Sequence, residues 1–473
     1  MFWIPKSISR MEKAEMNNSN NIFNNKIVLF LLSLFLATGI TFFLKEPEFT
    51  DSQVYVPFLL FFAIGLWFSE AIPAFAVSLF IIAFLVLALG NNYFNAEPEN
   101  VDKYVNTFSS RVIWLLLGGF FLAAAMTKTK LDLVLFKFAL KISGKKPKNL
   151  LIGLMFTTAA TSMVMSNSAT TAMFIAAVMP LLVSLGKNSN FAKALLLGIP
   201  IAATTGGMGT IIGSTPNAIA VGALENAGIT IYFIDWMKYG IPIALILTAI
   251  SCFVLIKLFI KDDSPISVTF LESKNNDSTP AFILQRRIVI GVIIVTVAFW
   301  LTTSLHGISV ATICAIPLVF LTMTKVLESK DIQSLPWDTL LLVAGGLSLG
   351  LALEETGLLN YYTQKLMTME IDTTALIFIL AFITMIVSNI MSNSAASSVM
   401  VPIGIAILVG LEKEITIIIA LSASSAMFLP VSTPANAIAF STGLLEQKDL
   451  RTGGIVIGLL GPLLAILWAL IIG

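Results

Sequence analysis

The residues best suited to chemistry in this chain are neutral and polar, and they sit where charge is absent. Ser166-Asn167-Ser168 stands at the centre of residues 149–186, a stretch with no charged side chain, and Ser392-Asn393-Ser394 stands at the centre of a second such stretch, residues 373–411. Two more charge-free runs carry Gly213-Ser214-Thr215-Pro216-Asn217 and Ser432-Thr433-Pro434-Ala435-Asn436. Ser or Asn at a helix start caps orphan amide N–H groups, and the start carries positive partial charge, so a carboxylate or sulfate can rest there. Where Gly and Pro interrupt a helix, freed carbonyls become ligands for a hard cation such as Na+, and hydroxyls become donors to an anion.

Other chemistries are excluded by what is missing. One histidine, His306, and two cysteines inside apolar runs, Cys252 and Cys314, leave no constellation for nucleophilic or metal catalysis, so the chain is not expected to be an enzyme. No Lys, Arg or His lies in the four polar-centred runs. An anion brought there must be neutralised by something else, because an unpaired buried charge is very costly. Co-bound cations supply that charge, which favours Na+-coupled symport over exchange at a cationic site. The equal lack of Asp and Glu argues against a proton antiporter built on a buried carboxylate.

The elements that position these residues must lie in a membrane. Of 473 residues, 57% are apolar and 12% charged, about half the charge of an ordinary soluble chain. A net charge of +1 provides no field for nucleic acid. Apolar runs long enough to cross a bilayer fall at 26–43, 55–68, 74–90, 112–126, 194–224, 237–260, 288–305, 308–323, 339–353, 415–444 and 454–472. The runs 194–224 and 415–444 are too long for one plain helix and should unwind near Pro216 and Pro434. Residues 149–186 and 373–411 are also too long for one crossing and read as re-entrant hairpins whose tips stop near mid-membrane. The fold expected is an all-α polytopic membrane protein with eleven transmembrane helices and two re-entrant hairpins.

Lysines Lys128, Lys130, Lys137, Lys141, Lys145, Lys146 and Lys148 crowd one loop against a single acid, Asp132, while Glu97, Glu99 and Asp102 dominate the loop before it. That alternation places the N-terminus in the cytoplasm and the C-terminus outside. The lysine-rich segment reads as an amphipathic surface helix. The polar start is too long for a signal n-region, so the first run reads as a retained anchor.

The chain also repeats itself. WLLLGGFFLAAAMTKTKL from Trp114 echoes LLLVAGGLSLGLALEETGL from Leu340, SNSATT from Ser166 echoes SNSAAS from Ser392, and GSTPNAIAVGAL from Gly213 echoes STPANAIAFSTGLL from Ser432. By the loop charges, the copies run in opposite directions. An inverted-topology repeat is a signature of secondary transporters, with the site at the repeat interface.

At these residues, and at WFSEAIPAF around Glu70, the chain resembles the divalent-anion:sodium symporters, a family that includes bacterial dicarboxylate transporters. The family pattern has two Ser-Asn-Thr tips and a Pro-Pro-Asn-like loop in each broken helix; here both triplets end in Ser and each loop has one proline fewer. The resemblance implies one cation site of Ser162, Ser166, Asn167 and Gly213, and a second of Ser388, Asn393, Ser432 and the backbone of Met391. It implies substrate contacts from Asn167, Ser168, Ser214, Asn393, Ser394, Thr433 and Pro434. It also implies a homodimer in the plasma (inner) membrane whose transport domains move elevator-fashion.

The organisation expected is an N-terminal tail (1–26), scaffold helices (27–148), a transport domain of the first hairpin and broken helix (149–260), a cytoplasmic linker (261–287), further scaffold helices (288–372) and the second transport half (373–473). The cargo expected is a C4-dicarboxylate (succinate, fumarate or malate) carried with Na+. The alternatives are sulfate or citrate on the same fold, or a cation/proton antiporter on a related scaffold.

Overall fold

The computed structural model describes residues 6–186, 189–266, 279–367, 372–430 and 432–472, and among these every regular element is a helix. Among the described residues nine helices are long and apolar enough to cross a membrane, including the hairpin arms Asn167–Leu185 and Thr373–Ile390. Helix length therefore does not by itself return the eleven expected crossings. Ala74–Leu89 and Val310–Met323 are shorter apolar helices, and each broken span is divided in two. The first run belongs to one helix, Lys6–Leu44, so the expected tail is helical from Lys6 onward. The expected linker narrows as well, because helix Pro280–Leu301 begins inside it, capped by Thr279; residues 267–278 lie outside the described residues.

Both polar triplets interrupt helices where capping chemistry says they should. The first hairpin has arms Pro147–Ser162 and Asn167–Leu185, with Ser166 accepting from the Ala169 N–H. The second has arms Thr373–Ile390 and Asn393–Ile407, with Ser392 accepting from the Ala395 N–H. The broken spans resolve into Asn190–Gly207 with Thr215–Asn226, and Glu412–Ser424 with Pro434–Ser441. Proline opens each second arm within its first turn, where its missing N–H removes no helical bond. Thr158, Thr161, Ser162, Thr170 and Thr171 are all buried, so the polar face of the first hairpin meets protein and not lipid.

The two halves pack by the same rules. Gly118 lies against Cys314 and Gly345 against Ser78, each so closely that a Cβ would clash. Their neighbours face the other way, Gly119 towards Ile212 and Gly346 towards Ser398. The doubled Gly-Gly block thus lets helices Arg111–Lys128 and Trp337–Glu355 touch Val310–Met323 and Ala74–Leu89 on one side and a broken span or a hairpin on the other.

The hydrophobic core falls into two clusters, each drawing on both halves. One cluster runs unbroken from helices such as Arg111–Lys128 and Trp337–Glu355 into the second hairpin and the arm Thr215–Asn226, through residues such as Leu347, Ile219 and Val399. The other gathers the first hairpin, helix Asn190–Gly207, helix Leu131–Ser143 and the arm Pro434–Ser441, through Phe174, Leu195, Phe136 and Ala439. The Lys193–Asp449 ion pair (3.0 Å, largely buried) ties helix Asn190–Gly207 to the C-terminal helix Gln447–Ile472. Removing one partner of a buried pair costs about 3 kcal/mol or more. Asp449→Asn is accordingly expected to lower the thermal midpoint of the detergent-purified protein, and an unchanged midpoint would show that the pair holds nothing.

Candidate functional site

An unbroken chain of contacts links one hairpin tip to the other. One end of the Asn167 amide stands 3.2 Å from the Gly213 carbonyl oxygen. The next residue, Ser214, places its Oγ 3.3 Å from Ser424 Oγ. Beside Ser424, the Ala423 carbonyl accepts from Ser388 Oγ at 2.8 Å, and Ser388 Oγ also lies 2.9 Å from Asn393 Oδ1. The arms interlock around this chain. Thr215–Asn226 packs against the second hairpin arm Asn393–Ile407, and Pro434–Ser441 packs against the first hairpin arm Asn167–Leu185. Four helix starts, at Asn167, Thr215, Asn393 and Pro434, are thereby gathered with no basic side chain in the segments that carry them.

The second tip holds more acceptors than donors, and at the first the balance turns on which end of the Asn167 amide faces inward. The inward end of the Asn167 amide is 2.8 Å from Ser162 Oγ and 3.0 Å from the Ala203 carbonyl oxygen, besides its contact with Gly213. With oxygen at that end, Ser162 donates to it, but two carbonyls face it with no hydrogen between them. With nitrogen there, the amide donates to those carbonyls and closes the cluster without an ion. At the second tip, the single hydroxyl hydrogen of Ser388 faces two acceptors. Clustered neutral oxygens short of hydrogens are the donor set that a hard monovalent cation fits.

The expected site residues divide by what they touch. Ser162, Asn167 and Gly213 come together, as do Ser388 and Asn393. Ser168 and Ser394, half-buried, occupy the first turns beside the tip amides. Ser166 is exposed, and its hydroxyl caps its own helix, so it positions the tip. The Ser432 hydroxyl lies 2.9 Å from Asn389 Oδ1 and accepts from the Leu429 N–H. Met391 is buried at the end of the first arm, its N–H on the Val387 carbonyl. The Thr433 hydroxyl caps the Asn436 N–H, while the exposed Pro434 begins its helix. Ser214 is buried and spends its hydroxyl on Ser424.

Sequence reasoning missed the residues that hold the loops open. Asn217 donates through Nδ2 to the carbonyls of Gly207 (2.9 Å) and Thr210 (2.8 Å), and Asn436 does the same for Met427 (3.1 Å) and Leu429 (3.0 Å). Each satisfies carbonyls that the unwound backbone has lost to helix bonding. The signal was there in the repeated asparagine after each proline. Asn389 receives both the Phe428 N–H and the Ser432 hydroxyl, fastening the second loop to the second tip. Because Ser, Asn, Gly and Pro do not titrate, the site's own charge does not change with pH.

A family model described as the sodium:sulfate symporter transmembrane region matches residues 25–473. The chain belongs to this symporter family. It is an integral membrane transporter and not an enzyme, in agreement with the resemblance of its motifs to the divalent-anion:sodium symporters. An uncharacterized transporter of Haemophilus influenzae is 32% identical over 425 residues, covering 85% of this chain and 88% of that protein. The sodium-dependent dicarboxylate transporter SdcS of Staphylococcus saprophyticus is 27% identical over 468 residues, covering 90% and 88%. Its counterpart from Staphylococcus aureus (strain USA300) is 27% identical over 476 residues, covering 93% and 88%. Among solved structures, Neisseria gonorrhoeae MtrF superposes with a TM-score of 0.55 at 13% identity, covering 85% of this chain and 95% of that one. The Alcanivorax borkumensis YdaH transporter gives 0.52 at 12% identity, covering 84% and 97%. These two likenesses concern fold alone.

Proposed function

We propose that this symporter carries a C4-dicarboxylate such as succinate, fumarate or malate together with Na+, the anion lying between the two tips and a cation beside each. The observation that carries the reading is the gathering of neutral oxygens at both tips, Ser162, Ala203 and Gly213 about Asn167 and Ala423 and Asn393 about Ser388, next to four helix starts and with no basic side chain in the segments that carry them. Each helix start contributes about 0.3–2 kcal/mol toward an anion, too little to offset a buried dianion without co-bound cations. In this reading Ser162, Asn167 and the Gly213 backbone hold one Na+, and Ser388, Asn393 and the Met391 backbone hold the other. Ser166 and Ser432 shape those sites. Asn167, Ser168, Ser214, Asn393, Ser394, Thr433 and Pro434 surround the cargo. The sodium-dependent dicarboxylate relatives support this assignment of ion and substrate class.

Alternating access is proposed from the unequal packing of the two broken spans. Thr215–Asn226 is buried along most of its length, whereas Pro434–Ser441 buries only Ala435, Asn436 and Ala439. Repeated elements in unequal surroundings are what one state of a two-state carrier looks like. With the N-terminus cytoplasmic, the docked side is the outer one, and this conformer opens inward. Elevator movement of residues 149–260 and 373–473 against the scaffold, within a homodimer, would exchange the two surroundings.

Proteoliposomes loaded with the purified protein should take up labelled succinate when Na+ is outside. Replacing Na+ by choline should remove at least nine-tenths of that uptake, since the anion then lacks its counter-charge. Uptake undiminished in choline would refute the coupling. Unlabelled sulfate or citrate competing better than fumarate would reassign the cargo, and a pH change on Na+ addition without any organic anion would point to antiport.

A further inference from the structure

Arg111 and Glu225 form an ion pair of 3.1 Å across the docked side of the seam. Arg111 opens the scaffold helix Arg111–Lys128, and Glu225 lies at the end of the arm Thr215–Asn226. Beside the pair is a cavity of about 250 Å³, lined also by Thr230, Tyr232, Thr303 and Ser309. The cavity reaches Ile211, in the unwound loop that leads on to Gly213 and Ser214. A cation, several hydroxyl-bearing side chains and a carboxylate already in place thus meet at the edge of the route to the tips.

We propose that Arg111 is an entrance site for the anionic cargo, occupied by the Glu225 carboxylate in this conformer and by a carboxylate of the incoming dianion once Thr215–Asn226 leaves the scaffold. The inference rests on the transport reading above. A guanidinium presents a planar fork of five N–H donors matched to a carboxylate, and the ion pair joins Nη1 to one Glu225 oxygen, so the fork has donors to offer a second carboxylate. The Arg111 side chain is 59% exposed, so the pair is weak and exchangeable, as entry and release require. Division of labour follows. The tips hold no fixed positive charge because Na+ arrives with the cargo, but a dianion approaching the vestibule still needs attraction, and one basic side chain at the mouth raises its local concentration without trapping it deeper in.

The test compares wild type, Arg111→Gln, Arg111→Lys and Glu225→Gln in proteoliposomes, using whichever of succinate, citrate and sulfate the wild type takes up. Arg111→Gln is expected to raise KM about five- to tenfold at low ionic strength, to leave the maximal rate within about twofold, and to flatten the dependence of KM on added salt. Arg111→Lys should keep most of the wild-type KM, and Glu225→Gln should lower it by freeing the guanidinium. An Arg111→Gln protein that changes only its maximal rate, with KM and salt dependence as in wild type, would overturn the entrance role and leave a mere interdomain latch. A wild type that moves none of the three anions would overturn the transport reading and this inference together.

Discussion

Asn167→Ala and Asn393→Ala are each expected to reduce Na+-driven uptake at least a hundredfold while the protein still inserts and purifies normally. The amide of Asn167 sits among Ser162 Oγ and the carbonyls of Ala203 and Gly213, and the amide of Asn393 sits against Ser388 Oγ. Truncation removes a proposed cation ligand from each tip, and at the first it also leaves the buried Ser162 hydroxyl short of a partner, a loss of about 1–3 kcal/mol, whereas Ser388 keeps the Ala423 carbonyl. Anion affinity falls with it, because the cargo depends on the bound ions for compensation.

Asn167→Asp separates the two roles of the amide. It retains an oxygen for a cation but cannot donate to Ala203 and Gly213, so without Na+ it sets a negative oxygen against two carbonyls. Its thermal midpoint should therefore rise with Na+ concentration more steeply than that of wild type. Equal Na+ dependence in the two proteins, or normal uptake by either alanine variant, would remove the tips from the cation site.

Gly207→Ala carries the second large effect, from a single methyl. Gly207 ends the first arm of the first broken span, and a Cβ there would run into the Asn167 amide and lie 2.8 Å from the Gly213 carbonyl oxygen. Alanine is the better helix former by roughly 0.5–1 kcal/mol, so with open space this change would stabilise the arm. Here the neighbours are backbone and a tip side chain already held by several contacts, and overpacking of that kind costs about 1–3 kcal/mol. Uptake should fall between about tenfold and a hundredfold, the fall appearing mainly as a higher Na+ requirement because the first tip is what gets displaced. Gly198→Ala on the same helix is the control. Its Cβ would meet only the flexible side chains of Met155 and Leu151, and uptake should stay within about twofold of wild type. Equal losses in the two variants would mean that the helix, and not the tip, is sensitive.

How much of this was legible beforehand differs from residue to residue. The triplets at Asn167 and Asn393 stood out because a polar cluster in a charge-free run is rare and each had a partner in the other half. Ser166 and Ser432 looked like ligands because they belong to the same motifs, yet their hydroxyls are spent on a helix cap and on Asn389. A motif records which residues are neighbours in the chain, and hydroxyl direction depends on backbone angles that it does not encode. Asn217 and Asn436 were passed over for the reverse reason. Their task is to satisfy carbonyls seven to ten residues earlier, and that need is visible only once the loop has its shape.

Apolar runs, interrupting prolines and glycines, and the doubling of three blocks determined by themselves that this chain is a helical membrane transporter with paired interruptions. Those properties are local, because the bilayer requires long apolar segments and helix chemistry decides where they break. Only the tertiary structure decided that Ser214 meets Ser424, that each broken arm lies on the opposite hairpin, and that the arm Thr215–Asn226 is buried more fully than Pro434–Ser441. Such contacts join residues far apart in the chain, and their choice depends on how whole surfaces fit together, Gly118 on Cys314 and Gly345 on Ser78, which no single segment contains.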